Sequence, residues 1–527
     1  MLQGRMMDFP LTLTHFLERA RAFFPRSEIV SRLPGGDLHR YTYADFAERT
    51  ARLAGALQTL RLAPGDRVAT LCWNTVEHLE AYLGVPAAGA VLHTLNLRLH
   101  PDEIAWIASH AGDRLLIVDE SLLPLAEQIV PHTAIDRVIV VGDQYEELVA
   151  SGDPAAPMEP LDEDEAAAMC YTSGTTGRPK GVLYSHRALV LHSLASLASG
   201  LLGISETDVV LPVVPMFHAN AWGLPYTATL AGASQVLPGP HLDPQTLVET
   251  LESEHVTITG GVPTIWLGIL QLLDEQPGRY DLSALRSMIV GGSAAPRALV
   301  EGFERRHGLH VCHAWGMTEL APLGTVAEPP SELAGATENE RFAFRSTQGG
   351  PAPFVELRAR GGDGLVPWDG ETMGELEARG VWIASAYYDA PEAADRWTDD
   401  GWFRTGDIVT IDRRGAITIQ DRAKDVIKSG GEWISSVALE NALMAHPAVA
   451  EAAVIGVPDE RWQERPLAAV VLSGEATADE LREFLAKDFA RWQLPERFEF
   501  LDEIPKTAVG KFRKTALRER FAGGTAA

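Results

Sequence analysis

Apolar positions recur at helical spacing over residues 43–60 (YADFAERTARLAGALQTL), which predicts an amphipathic helix. A turn, Ala63-Pro64-Gly65-Asp66, follows, and the short apolar run at 67–72 fits a buried strand. The alternation then continues: helical spacing at 75–83, an apolar run at 90–95, a helix opening at Pro101-Asp102-Glu103 and a strand at 115–118. Helices and strands that alternate in this way predict an α/β domain with a largely parallel sheet. Residues 151–160 (SGDPAAPMEP) read as a loop or short linker, and a strand at 167–170 leads into a Gly/Thr-rich turn and a helix from His186. The chain has no internal repeat and no low-complexity tract.

The pattern changes toward the C-terminus. Alternation at 416–420 predicts a strand, followed by the charged segment Asp421-Arg422-Ala423-Lys424-Asp425. Helical spacing at 436–444, strands at 450–457 and 467–472, and a helix at 479–489 then describe a small α+β domain of about a hundred residues. The charged segment is where the two domains are expected to divide, as 1–423 and 424–527.

Composition narrows the function classes. At 527 residues the chain exceeds what one core usually supports, so at least two domains are expected. Its 45 Lys and Arg against 72 Asp and Glu give a formal charge of −27, which argues against nucleic acid or an anionic membrane as partner. The acidity is uneven: from Asp421 onward there are 15 basic and 18 acidic residues, net −3, which leaves −24 for the first 420 residues. Cys72, Cys170 and Cys312 form no CxxC pair, which fits reduced thiols in a cytoplasmic protein. No apolar stretch reaches membrane-spanning length and no leader peptide is read at the N-terminus, so a cytoplasmic location without an integral membrane segment is expected.

Four segments carry candidate chemistry. Residues 171–181, YTSGTTGRPKG, gather small and hydroxylated residues whose backbone N–H groups and hydroxyls suit phosphate oxygens, with Lys180 adding charge. The spacing is not that of a Walker loop, and Gly181 stands where Ser or Thr would follow the lysine. In Ala314-Trp315-Gly316-Met317-Thr318-Glu319 an aromatic beside glycine suits a purine face, while Thr318 and Glu319 offer a hydroxyl and a hard ligand for Mg²⁺. The Thr405-Gly406-Asp407 turn offers a carboxylate for vicinal hydroxyls. Lys511 lies on a Gly-containing turn near the C-terminus, in IPKTAVGK at 504–511.

These four segments, in this order, resemble the adenylate-forming superfamily of acyl-CoA synthetases, peptide-synthetase adenylation domains and luciferase, with fatty acyl-CoA synthetases the nearest group. The resemblance spans nearly the whole chain. It implies an α/β fold: a large N-terminal domain of several sheets with a small β-barrel, and a small, mobile α+β C-terminal domain. It implies ATP, Mg²⁺ and coenzyme A as cofactor and co-substrates, and a fatty acid as the acid. The nucleotide-binding residues implied are Thr172, Ser173, Gly174, Thr175, Thr176, Gly177 and Lys180 of the signature loop, together with Gly292. His313, Ala314, Trp315, Gly316 and Thr318 of the second segment join them, although His313 is given no chemical role. So do Asp407 and Arg422 at the ribose, Lys424 at the hinge, and Lys428 and Trp433. Glu319 and Thr172 are implied as metal ligands, and Lys511 as the cation that offsets repulsion between carboxylate and α-phosphate. The family's usual Tyr is Trp315 here, so stacking is kept and a phenolic contact is lost.

The acid itself rests on residues 212–222 (PVVPMFHANAW) and 290–296 (VGGSAAP). Neither region carries a buried acid to answer an amine, which favours an alkyl chain. Trp222 is implied as the gate of its tunnel, with Gly291 and Gly292 beside it, His218 near the carboxylate, and Gly431 along the path of the CoA thiol. The expected activity is an AMP-forming ligase for medium- to long-chain acids. The alternatives are a ligase for a short or sulfur-containing acid, an acyl-AMP ligase loading a carrier protein, and a non-catalytic nucleotide-binding scaffold. A homodimer is a weak expectation from relatives.

Overall fold

The computed structural model describes residues 2, 4–60, 62–156, 160–172, 178–362, 364–429, 432–459, 461–506 and 512–521. The chain divides into two compact units: Met1–Val355 with Arg379–Phe403, and Glu356–Ala378 with Arg404–Ala527. The second unit therefore gathers a β-rich block upstream of Lys424 together with the C-terminal segment.

Two sheets organise the first unit. A six-stranded sheet runs in the order Arg137–Val140, Asp113–Val118, Arg67–Leu71, Val91–Thr94, Ala166–Tyr171 and Gly181–Ser185. All its neighbours are parallel except the last pair. A nine-stranded sheet has a parallel centre made of Val311–Gly316, Ser287–Val290, Ile258–Gly261, Val209–Pro212, Ser234–Leu237 and Glu28–Arg32. These strands read as short uninterrupted apolar runs because helices cover both faces of a parallel sheet. One cluster packs Trp266, Leu211, Val290 and Phe303 against the large sheet, and another packs Leu71, Ile104, Leu116 and Ile129 against the smaller one.

The helix read at 75–83 extends over Val76–Ala87 and contains Pro86. Eleven of its twelve residues are buried, so tertiary packing rather than amphipathic patterning sets its length. Pro86 comes one residue before the helix ends, so the hydrogen bond it forgoes is confined to the last turn.

The second unit holds a five-stranded sheet that includes Val355–Gly361, Gly374–Gly380, Phe403–Ile411 and Ile417–Arg422. Its last strand takes in Asp421 and Arg422, which the sequence had suggested lay beyond it. A further sheet is built on Val449–Asp459 and Gln463–Leu472. Alternate side chains of these two strands face opposite ways. Ala452, Val454, Ala468 and Val470 meet the helices Ser436–Met444 and Ala478–Leu485, while Ala453, Ile455, Leu467 and Ala469 meet the helix Lys514–Phe521. Among the described residues no helix is long and apolar enough to cross a membrane. Cys72, Cys170 and Cys312 are buried free thiols.

Candidate active site

Ligands of parallel α/β sheets gather beyond the carboxyl ends of the strands. In the first unit the implied site residues lie there. Thr172 follows Ala166–Tyr171, His218 and Trp222 lie beyond Val209–Pro212, Gly291 and Gly292 follow Ser287–Val290, and Glu319 lies just beyond Val311–Gly316.

The signature loop closes on itself at its base. Thr172 N–H donates to the Lys180 carbonyl at 2.9 Å, and Lys180 N–H donates to Thr172 Oγ1 at 3.1 Å. Ser173, Gly174, Thr175, Thr176 and Gly177 lie outside the described residues. A Cβ at Gly181 would lie 2.6 Å from Met169 Cε and 3.0 Å from Tyr171 Cζ, so any larger residue after the lysine must displace the end of the Met169 side chain. The helix Pro101–Ala111 braces both legs of the loop. His110 Nδ1 lies 2.7 Å from Tyr171 Oη, and the Arg178 guanidinium sits 5.3 Å from the Trp106 ring.

Glu319 is only 5% exposed. Tyr387 Oη donates to its Oε1 at 2.5 Å, and burial together with the Glu319 charge holds this phenol well above its ordinary pKa. The backbone around Glu319 is pinned as well: Tyr184 Oη donates to the Thr318 carbonyl at 2.6 Å, and Ala384 N–H donates to the Glu319 carbonyl at 2.8 Å. Among the described residues no cluster of three or more His, Cys, Asp or Glu forms a self-sufficient metal cage. One buried carboxylate beside hydroxyls fits Mg²⁺, which takes one or two carboxylates and completes its shell with phosphates and water.

Trp315 is buried, and its indole edge lies against Gly324, where a Cβ would come within 2.4 Å of Cζ3. Gly316 sits at a register shift, and a Cβ on it would meet the Pro322 carbonyl at 2.0 Å. His313 is wholly buried, which lowers its pKa to about 4, and its Nε2 accepts from Ala295 N–H at 3.3 Å. The ring thus braces the loop that follows Gly292.

A small cavity brings together Thr94, Asn96, Leu99, Ile107, Tyr171, Thr172, Phe217 and His218. Nearby, Ala219, Asn220, Ala221 and Trp222 all have positive φ (42, 51, 49 and 56°), and Gly223 continues the turn at 73°. A left-handed run of L-residues costs roughly 1–2 kcal/mol per residue, so it persists only under tertiary restraint. That restraint is visible. Cys170 Sγ–H donates to Asn220 Oδ1 at 3.1 Å, Ala221 N–H to the His218 carbonyl at 3.1 Å, and Thr227 Oγ1–H to the Gly223 carbonyl at 3.0 Å. The result aims the Trp222 indole at Gly260, Gly291 and Gly292, where added Cβ atoms would lie 3.7, 3.1 and 3.7 Å from ring carbons.

The second unit carries its own group. Asp407 and Arg422 are cross-strand partners, and Arg422 Nε lies 2.8 Å from Asp407 Oδ1. The turn expected at Thr405-Gly406-Asp407 is instead the middle of the strand Phe403–Ile411, where Gly406 has φ 75° and its carbonyl accepts from Ala423 N–H across the strand pair. Lys424 is exposed in the following turn. Lys428 and Trp433 face each other across the hairpin Ile427–Ser429 and Glu432–Ile434. Gly431 and Lys511 lie outside the described residues.

In the first unit the base of a Gly/Thr-rich loop and a buried carboxylate stand beyond the carboxyl ends of parallel strands, and the second unit carries a cross-strand Asp–Arg pair. The chain belongs to the AMP-binding enzyme family: residues 17–388 match the AMP-binding enzyme model and 438–511 match the model of its C-terminal domain. It is 53% identical over 529 residues to the long-chain-fatty-acid–CoA ligase of Thermus thermophilus, across 98% of this chain and 96% of that protein. It is 44% identical to the 3-methylmercaptopropionyl-CoA ligase of Ruegeria pomeroyi, across 98% of each. The crystal structure of the anthranilate CoA ligase AuaEII in complex with anthranoyl-AMP superposes with a TM-score of 0.86 at 26% identity, covering 97% of this chain and 98% of that one.

Sequence reasoning did not find Tyr387, His110 or the left-handed turn. Tyr387 lies 68 residues from Glu319 and outside every motif, and four consecutive positive φ values leave no signature in residues as ordinary as Ala, Asn and Trp.

Proposed function

We propose that the protein is an AMP-forming fatty acid–CoA ligase for medium- to long-chain acids. In the first step a carboxylate oxygen attacks the α-phosphorus of ATP, the bond to the pyrophosphate oxygen breaks, and an acyl-adenylate forms. In the second, the CoA thiol gives up its proton and attacks the acyl carbon, and AMP leaves with the bonding electrons. A Mg²⁺ ion held by Glu319, with Thr172 beside it, supplies neutralisation of phosphate charge.

The chain's own residues do the remaining work. The backbone and hydroxyls of the signature loop, with Lys180, bind phosphate oxygens. Lys511 offsets the repulsion between carboxylate and α-phosphate and the charge that builds in the transition state. Asp407 accepts from the ribose hydroxyls, with Arg422 beside it, while Trp315, Gly316, Ala314, His313, Gly292, Lys428 and Trp433 frame the nucleotide. His218 lies beside the substrate carboxylate, and Gly431 lies along the path of CoA. Lys424 is the hinge about which the segment 424–527 turns between the two steps. A homodimer and a cytoplasmic location complete the reading, the latter supported by three separate buried thiols.

The observation that carries the choice of acid is the Trp222 indole lying over Gly260, Gly291 and Gly292, apolar surface that offers an amine no counter-charge. An amine-bearing acid would need a buried counter-charge there. The 44% likeness to a methylmercaptopropionyl-CoA ligase favours a second reading, a short sulfur-containing acid. A panel of straight-chain acids of increasing length, with 3-methylmercaptopropionate included, separates the two when AMP is measured with and without CoA. Highest kcat/KM for the long acids, dependent on CoA, is expected. A maximum at 3-methylmercaptopropionate selects the second reading, and AMP release with a carrier protein but not with CoA overturns both.

A further inference from the structure

We infer that Tyr387 is a positioning residue that fixes the metal-binding carboxylate and ties it to the lysine of the signature loop. The inference rests on the proposed role of Glu319 as Mg²⁺ ligand.

Three contacts converge on this side chain. Its hydroxyl donates to Glu319 Oε1 at 2.5 Å. The Lys180 ammonium lies 5.8 Å from its ring centroid. Trp397 packs edge-on against the same ring at 5.1 Å, and the Trp397 indole N–H donates to the Ala384 carbonyl at 2.8 Å. The backbone is held in turn, because Tyr388 N–H donates to the Gly181 carbonyl at 2.8 Å, directly after Lys180. The segment carrying Tyr387 is therefore fastened to the loop at one end and to the Glu319 backbone, through Ala384, at the other.

An ionised carboxylate only accepts hydrogen bonds and presents two oxygens. A phenol committed to Oε1 sets the plane of the carboxylate and turns Oε2 toward a cation. Outer partners of metal ligands orient them in this way, and their loss typically weakens metal binding 10- to 100-fold. The ring has a separate duty toward the loop. Through its π face it holds the lysine that meets phosphate, so metal and triphosphate are received by two groups sharing one aromatic ring. A hydroxyl that merely satisfied a buried carboxylate would explain the first contact and not the second.

The two duties separate by substitution. Mn²⁺ affinity is read by electron paramagnetic resonance in the presence of a non-hydrolysable ATP analogue, and metal-free affinity for that analogue by calorimetry. Tyr387→Phe keeps the ring and should weaken Mn²⁺ about 10- to 100-fold while leaving metal-free nucleotide affinity unchanged. Tyr387→Leu should weaken Mn²⁺ equally and also reduce nucleotide affinity about two- to fivefold. Unchanged Mn²⁺ affinity in Tyr387→Phe overturns the inference, as does an equal effect of both variants on nucleotide. Glu319→Gln is the control: if it leaves Mn²⁺ affinity unchanged, the assignment of Glu319 as ligand fails, and Tyr387 falls with it for a different reason. In an otherwise native chain, 3-fluorotyrosine at 387 gives a fluorine resonance that should shift when Mg²⁺ joins the enzyme–analogue complex. No shift also overturns the inference.

Discussion

Gly291 offers the most direct test of how the acyl chain is accommodated. A methyl placed there would lie 3.1 Å from the Ala314 carbonyl oxygen and 3.1 Å from Trp222 Cη2. Both distances are shorter than ordinary carbon contacts of about 3.5–4.0 Å. The carbonyl belongs to a strand of the central sheet and is fixed, so the indole must give way by a few tenths of an ångström. Gly291 is not among the glycines of positive φ, so Gly291→Ala brings no backbone strain with it. The added methyl takes room worth about one methylene of substrate, and burying a methylene is worth about 0.8 kcal/mol. That corresponds to about a fourfold loss in kcat/KM. The loss should fall on acids long enough to reach the glycines, while shorter acids keep wild-type values. The assay is AMP formation at saturating ATP and CoA across a chain-length series. An equal loss at every length would refute the reasoning, because Gly291 would then be acting on the reacting centre or on folding.

Further outcomes follow from other parts of the structure. Lys511→Ala should abolish formation of the acyl-adenylate yet leave thioester formation from synthetic acyl-adenylate nearly intact; equal loss of both half-reactions sinks the two-step role of this lysine. His110→Phe keeps a ring under Trp106 but loses the bond to Tyr171, so KM for ATP should rise severalfold with kcat nearly unchanged, since a hydrogen bond of this kind is worth about 1 kcal/mol. In the second unit Lys514 Nζ lies 2.7 Å from the buried carboxylate of Glu440, and at pH above 7, where that carboxylate is ionised, Lys514→Met should cost about 3–5 kcal/mol, read as faster amide exchange in the helix Ser436–Met444. Burial pushes Glu440 up from 4.5 to about 7 despite Lys514. Because the folded pKa is the higher one, its contribution is greatest below pH 4.5 and is lost as pH rises to about 7, by about 3 kcal/mol. Glu440→Gln should flatten the pH dependence of exchange in that helix, and an unchanged slope would assign it to another group.

Much of the fold was legible because a parallel sheet needs unbroken apolar strands separated by helices, and residues 43–118 carry that pattern plainly. The helix at Tyr43–Thr59 and the one at Pro101–Ala111 sit where their periodicity and N-terminal signals indicated. Boundaries failed where burial overrode local rules, as at Pro86 and at the strand that runs on through Asp421 and Arg422. The grouping of residues 404–422 with residues 356–378 depends on a sheet formed between their strands, which no local window reveals. Among the motif residues, Thr172 and Glu319 stand just beyond strand ends, whereas Asp407 sits inside a strand rather than in the turn that Thr-Gly suggested. Tyr387, His110 and the support of residues 219–223 are long-range, and their meaning appears only once distant segments meet.

The left-handed turn at Ala219–Trp222 also constrains how this enzyme can change. Four side chains of L chirality already occupy a conformation that disfavours any bulkier or branched neighbour, and Gly223 has no space for a Cβ above His192. Substitution there risks the whole turn. Of the glycines facing the indole, Gly292 has φ 79° while Gly260 and Gly291 lie outside the positive-φ region, so only these two accept a side chain without backbone strain. On the proposed function, diversification toward longer, shorter or bulkier acids is therefore channelled onto Gly260 and Gly291, with the indole of Trp222 serving as the fixed gauge against which new side chains are measured.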